Sequence, residues 1–255
     1  MLGCRIVNSL NQKTIHPRLL ISIITATYNA GDRLPRLIES LRAQSDLDFE
    51  WVVMDGASTD GTLDLLAEVK DLNLVLDTRP DFGIYDAINR AIEVAGGEYY
   101  LVLGADDIIY PETVASFRRV ASNSDADLIT AQIFADGRIH GVRLSCPWLY
   151  GSFAYVSSHS VGTLIRKHLH KMYGMYSPRF PIAADQLFLK KVGDGGARII
   201  KVDFVAGEFS TKGTSGNDVL GALTEGLRVQ LLTKEQRCWQ MLIFLARLLK
   251  NYRRL

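Results

Sequence analysis

Between Leu20 and Leu103, four short apolar runs alternate with three segments of helical period, and this alternation constrains the fold more than any other feature. Leu20 to Ala26 (LISIITA) is apolar and β-branched nearly throughout, as a strand buried on both faces must be. Tyr28 to Gly31 interrupt it. Leu34, Leu37, Ile38 and Leu41 then follow at helical spacing, with Pro35 tolerated in the first turn. The pattern predicts further strands at Phe49–Met54, Leu72–Leu76 and Tyr99–Leu103. It also predicts a helix carrying Leu63, Leu66 and Val69, which Thr59 or Asp60 can cap, and another from Ile84 to Val94. Such an order is the signature of a parallel sheet covered on both faces, whose ligands bind beyond the carboxyl ends of the strands. Those ends carry Thr25–Asn29, Asp55–Asp60, Arg79–Asp81 and Asp106–Asp107; three of the four are acidic.

After Pro111 the order loosens. The pattern predicts a helix over Glu112–Ala121 and a hairpin joining Leu128–Phe134 to Ile139–Leu144 across Asp136-Gly137. A strand at Val161–Ile165, a helix from Asp185, a strand at Ile199–Val205, a polar loop over Gly207–Asn217 and terminal helices complete it. This second half reads as α+β material packed onto one edge of the sheet.

Composition narrows the class. The chain has 255 residues, 47% hydrophobic and 22% charged, the profile of an ordinary soluble α/β protein. A net charge of +1 leaves no chain-wide field to hold nucleic acid. The three scattered cysteines, Cys4, Cys146 and Cys238, make neither a disulfide framework nor a CxxC zinc site. No signal peptide is legible, and the apolar run Met241–Ala246 falls far short of the roughly 20 residues that span a bilayer. Charge is asymmetric: from Lys234 onward six basic residues face one acid, Glu235.

Familiar nucleotide motifs are missing. The chain has no GxxxxGK[ST] loop, and TATYNAG at the first strand-to-helix turn lacks GxGxxG. A divalent cation offers another way to hold phosphate. Asp106 and Asp107 follow the apolar strand YYLVLGA, where adjacent carboxylates repel; a hard cation relieves that cost and fills its other positions with phosphate oxygens. The simpler reading is a loop start. Asp55 can accept from a nucleobase or ribose, whereas Asp60 also fits an ordinary helix N-terminus. Asp86 and Asn89, three apart, share one face of their helix, turned to ligand or to solvent.

The stretches SIITATYNAGDRL, FEWVVMDGASTDGT, PDFGIYDAINRAI, GEYYLVLGADD and SSHSVGTLIRK…PIAADQLFLKKV occur in an order that resembles the family 2 glycosyltransferases of GT-A fold, in particular the bacterial surface-polysaccharide enzymes of the colanic acid kind. The resemblance runs from Ile21 to about Val192. It implies a Rossmann-like, mainly parallel α/β sheet flanked by helices, with an α+β acceptor-side half and C-terminal helices. Residues 1–18 would be a lead-in, 19–110 the nucleotide-sugar-binding half, 111–235 the acceptor-side half, and 236–255 a basic amphipathic helix. By the same resemblance Thr25, Thr27, Tyr28 and Asn29 line the nucleotide pocket, Asp55 contacts the base, and Ser58 and Asp60 share its loop. Asp86 lies on the donor side, Asp107 binds Mg²⁺ or Mn²⁺, Asp106 holds ribose or metal, and Asp185 is the general base. His159 matches a histidine of a later motif. Arg79 and Phe82 depart from the family pattern where donor choice is set.

These readings imply an inverting transferase using a UDP- or GDP-sugar and a saccharide or lipid-linked saccharide acceptor, cytoplasmic or peripheral on the inner membrane face. A non-catalytic nucleotide-sugar-binding protein of the same fold is the alternative, and the two part at Asp185. The tail, with Trp239, Leu242, Ile243, Ala246 and Leu249 at helical spacing among basic residues, suits either an anionic membrane surface or packing on the domain.

Overall fold

The computed structural model describes residues 21–142, 146–157, 160–210 and 218–254. The four apolar runs form β1 (Ile21–Thr27), β2 (Glu50–Asp55), β3 (Leu74–Thr78) and β4 (Tyr99–Val102). They are joined by α1 (Leu34–Arg42), α2 (Thr62–Ala67) and α3 (Ile84–Val94) and lie in the order β3-β2-β1-β4, all parallel. Burial on both faces accounts for the composition of the central strands. Ile21, Ile23, Trp51 and Val53 meet Leu34, Leu37, Ile38 and Leu41 of α1 in one core. Ile24, Val52 and Met54 meet Ala87, Ile88, Ala91 and Ile92 of α3 in the other. The turn from α3 into β4 needs glycine at 97, because a Cβ there would collide with Ser22, whose Oγ accepts from Gly97 N at 2.9 Å.

The second half contributes β5 (Ile108–Ile109), α4 (Thr113–Ser122), β6 (Leu128–Ala135), β7 (Arg138–His140), α5 (Pro147–Tyr150), β8 (Thr163–Arg166) and α6 (Leu169–Tyr173). It continues with α7 (Ala184–Asp194), β9 (Ile199–Glu208), α8 (Val219–Leu232) and α9 (Arg237–Asn251). This material joins the sheet at its β4 edge and prolongs it. β8 pairs antiparallel with β4, and the order runs on through β6 and β9 to β5 at the far edge. The hairpin β6–β7 forms across Asp136 and Gly137, both at positive φ as a tight two-residue turn requires. Cys146 and Cys238 are free thiols. The expectations for residues 1–18, for His159 and for most of the Gly207–Asn217 loop lie outside the described residues.

Candidate active site

The ends of β1, β2 and β3 are knotted together by carboxylates. Thr27, Asp55 and Thr78 are directly paired across the three strands, so their side chains share one face. Asp55 is wholly buried and accepts from Thr27 Oγ1 at 2.9 Å, Thr78 Oγ1 at 3.1 Å, Ser58 Oγ at 2.6 Å and Ser58 N at 2.8 Å. With two bonds on each oxygen it shapes the loop. Ser58 Oγ in turn accepts from Asn29 N at 2.8 Å, while Asn29 Oδ1 accepts from Thr59 N at 2.9 Å. Asn29 takes φ +46°, a conformation asparagine tolerates better than most residues. Asp60 accepts from Gly31 N at 3.0 Å, Thr62 N at 3.1 Å and Thr62 Oγ1 at 2.5 Å. The Thr62 hydroxyl, then the Gly31 N–H, hold its carboxyl below the usual carboxylate range. Asp60 thus ties β1 to the start of α2, whose N-cap position is Gly61.

Thr25, expected to line the pocket, does not. It is buried on the α1 side of the sheet, where its hydroxyl accepts from Trp51 Nε1 at 3.0 Å. Tyr28 is 64% exposed, and a Cβ on Gly56 would lie 3.3 Å from its ring and 2.9 Å from Asp81 Oδ2. The ends of β1, β2 and β3 therefore converge on Gly56. Beside them Arg79 pairs with Asp77 at 3.1 Å, and Phe82 is almost fully exposed.

At the end of β4 the chain turns sharply. Asp107 is buried, with Oδ2 accepting from Gly104 N at 2.7 Å and Oδ1 from Ser210 N, just past β9, at 3.0 Å. Burial pushes its carboxyl up to about 7; the two backbone N–H groups oppose the shift and the Asp106 charge adds to it. A Cβ on Gly104 would come within 3.1 Å of both Asp106 Oδ1 and Asp107 Oδ2, so the two carboxylates share a space that glycine leaves open. One buried carboxylate with a second beside it fits a hard divalent cation that completes its shell with diphosphate oxygens. Among the described residues no cluster of three or more His, Cys, Asp or Glu is gathered for a metal, so such an ion would lean on phosphate for the rest of its ligands.

Asp185 stands in the first turn of α7, nearly buried, where the N-cap position belongs to Ala183. Asp185 Oδ1 accepts a short hydrogen bond from Tyr85 Oη, and that hydroxyl also lies 2.9 Å from Ile182 O. Burial, then the Asp185 charge, hold the Tyr85 phenol well above its ordinary pKa. The turn before α7 is fixed from α8: buried Glu225 accepts from Ile182 N at 3.0 Å and Ala183 N at 2.8 Å. Sequence reasoning missed Tyr85 and Glu225. Tyr85 lies inside the GIYDAIN segment and could have been weighed there; Glu225 carries no local signal.

Asp86 and Asn89 share a face of α3 but take different partners. Asp86 accepts from Phe82 N at 3.3 Å and lies 3.7 Å from Arg90. Asn89 spends both ends of its amide on the backbone of Tyr176, donating at 2.8 Å and accepting at 3.0 Å, and so clamps the loop before α7. The guanidinium nitrogens of Arg90 are buried, with Asp77 at 3.6 Å and Asp86 at 3.7 Å.

A sequence profile for glycosyl transferase family 2 matches residues 22–143. Residues 22–143, just under half of the chain, are thus similar to the family 2 glycosyltransferases. A PGL/p-HBAD biosynthesis glycosyltransferase of Mycobacterium bovis is 36% identical over 121 residues, covering 45% of this chain and 46% of that protein. The chain thus spans about half the length of the curated relatives it matches. Two solved structures extend the likeness over the second half. Staphylococcus aureus TarS 1–349 in complex with UDP-GlcNAc superposes with a TM-score of 0.69 at 24% identity, over 91% of this chain and 73% of that one. The Pyrobaculum calidifontis mannosyltransferase PcManGT, in complex with GDP-Man and Mn²⁺, gives 0.64 at 18% identity, over 94% and 76%. At these identities the likeness establishes the GT-A fold and nothing finer.

Proposed function

We propose that the chain transfers a sugar, with inversion, from a nucleotide diphosphate donor to a hydroxyl of a saccharide or lipid-linked saccharide in surface polysaccharide or glycolipid synthesis. One observation carries this reading: Tyr85, from the donor-side helix α3, donates to Asp185 on α7 and so holds a buried carboxylate against the donor half. In the reaction Asp185 takes the proton of the acceptor hydroxyl as that oxygen bonds to the anomeric carbon and the bond to diphosphate breaks. A single displacement of this kind inverts the anomeric centre. Tyr85 orients the base, and Glu225 fixes the turn that carries it.

The knot of Asn29, Ser58 and Asp60 shapes the nucleoside side of the pocket, with Tyr28 open at its mouth and Asp86 on the donor side. Asp107, with Asp106 beside it, would hold Mg²⁺ or Mn²⁺. Bound there, the ion neutralises charge developing on the leaving diphosphate. The nucleotide complexes of the structural neighbours support a UDP- or GDP-sugar as donor. Such a transferase works where its donor is made, in the cytoplasm or on the inner face of the membrane.

The test is a panel of UDP- and GDP-sugars with Mn²⁺, read by thermal stabilisation and by release of nucleoside diphosphate. One donor is expected to raise the melting temperature and to turn over. Asp185→Asn should keep that stabilisation while turnover falls about 10²- to 10⁴-fold. A protein that no nucleotide sugar stabilises would contradict the proposal.

A further inference from the structure

The two sequence readings of the basic tail turn out to be compatible, because α9 has two working faces. Its inner face is docked. Gln240 is 2% exposed and donates to Trp148 O at 2.6 Å, and Arg247 donates to Leu149 O at 2.6 Å. Leu242 and Leu249 lie about 160° around the helix from these two residues, given 3.6 residues per turn. They belong to a stripe of Cys238, Leu242, Leu245, Leu249 and Tyr252 on one side of the helix. The stripe is open: Leu242 is 56% exposed, Leu245 51%, Leu249 75% and Tyr252 63%. Trp239, 58% exposed, stands at its margin.

The charges around this stripe have one sign. Lys234, Arg237, Lys250, Arg253 and Arg254 are exposed. The lone acid of the segment, Glu235, is engaged at 2.8 Å by the buried ammonium of Lys190. A second copy laid symmetrically on the stripe would bring like cations together with no free carboxylate among the described residues of the segment to pair them, which opposes self-association. Leucines flanked by lysines and arginines, with an indole and a phenol at the boundary, match the headgroup and acyl border of an anionic bilayer. Among the described residues no helix is long and apolar enough to cross a membrane.

We infer that α9 docks the protein onto an anionic lipid surface, lying in the interface with its leucine stripe inward while its other face stays bound to the domain. This inference stands on the helix alone and does not depend on the reaction proposed above.

Co-sedimentation of the full chain with vesicles tests it without any donor. The protein should pellet with mixed phosphatidylglycerol–phosphatidylcholine vesicles, stay in solution with pure phosphatidylcholine, and be released by high salt. Each cation near an anionic surface contributes about 1 kcal/mol, so Arg253→Gln with Arg254→Gln should lower partitioning roughly 30-fold. Leu245→Gln with Leu249→Gln should lower it roughly tenfold or more. All four side chains are exposed, so the melting temperature should hold in both double variants. A wild-type protein that ignores the mixed vesicles at low salt would overturn the inference, as would variants that pellet like wild type. A solution dimer that Leu245→Gln with Leu249→Gln dissolves would assign the stripe to a second copy, and capture by an acidic protein without lipid binding would assign it to that partner; either overturns the lipid assignment.

Discussion

Two loops on the carboxyl edge of one sheet use aspartate in opposite ways. Where β1 and β2 end, Asp60 is exposed and surrounded by donors, and its carboxyl is held below the usual range by the Thr62 hydroxyl and the Gly31 N–H. Where β4 ends, Asp107 is buried, receives two backbone N–H groups, and is pushed up to about 7 by loss of water. The side chain is the same; what differs is whether the fold has already compensated its charge. Asp60 and Asp55 are the proposed frame, hydrogen-bonded within the fold itself. Asp107 is held in place with its charge still costly, which is how a carboxylate awaiting a cation should be held. An acid-rich sheet edge marks a candidate site, and the donors around each acid separate its working groups from its supports.

That contrast can be broken from either side. The largest effect is expected at the uncompensated carboxylate. Asp107→Asn should fold normally and lose turnover by about 10³-fold, since several kcal/mol of charge stabilisation on the leaving diphosphate would go. Donor-induced thermal stabilisation should cease to respond to Mn²⁺, and an unchanged response would show that Asp107 is frame as well. On the frame side, Asp55→Ala strands the buried hydroxyl of Thr27 and takes the shared acceptor from half-buried Ser58 and exposed Thr78, and should cost about 2 kcal/mol in urea unfolding. If Asp55→Ala were as stable as wild type yet unable to bind donor, Asp55 would belong with the working groups. A smaller effect sharpens the link between the halves. Tyr85→Phe removes one hydrogen bond from Asp185 and should slow turnover by roughly tenfold, with donor affinity unchanged. Turnover that stays at the wild-type rate would leave Tyr85 a purely structural role.

How much of this could be read beforehand depended on whether the deciding contacts were local. β1, β2, β4 and α3 were legible because two-sided burial writes continuous apolar runs and helical stripes into adjacent residues. β5, two residues long, is too short to carry a period. The prolongation of the sheet through β8, β6 and β9 was not legible either, because strand order is set by distant pairings that leave no mark on any one strand. Within the site, Asp107 and Asp185 stand out as acids beside apolar elements. Thr25 was misread because α1 covers its face of β1, and Asn89 because its amide answers the backbone of Tyr176, 87 positions on. Tyr85 reaches Asp185 across 100 positions, a contact that only the assembled fold creates.

Donor binding and proton removal are proposed to rest on two different carboxylates, Asp107 and Asp185. Calorimetric titration of the identified nucleotide sugar with Mn²⁺ into wild type, Asp107→Asn and Asp185→Asn, paired with a transfer assay on the same samples, tests this most directly. Asp185→Asn should bind donor like wild type and transfer it about 10²- to 10⁴-fold more slowly, while Asp107→Asn should lose the metal-dependent part of binding. Equal loss of donor binding in both variants, or full transfer by Asp185→Asn, would contradict the account.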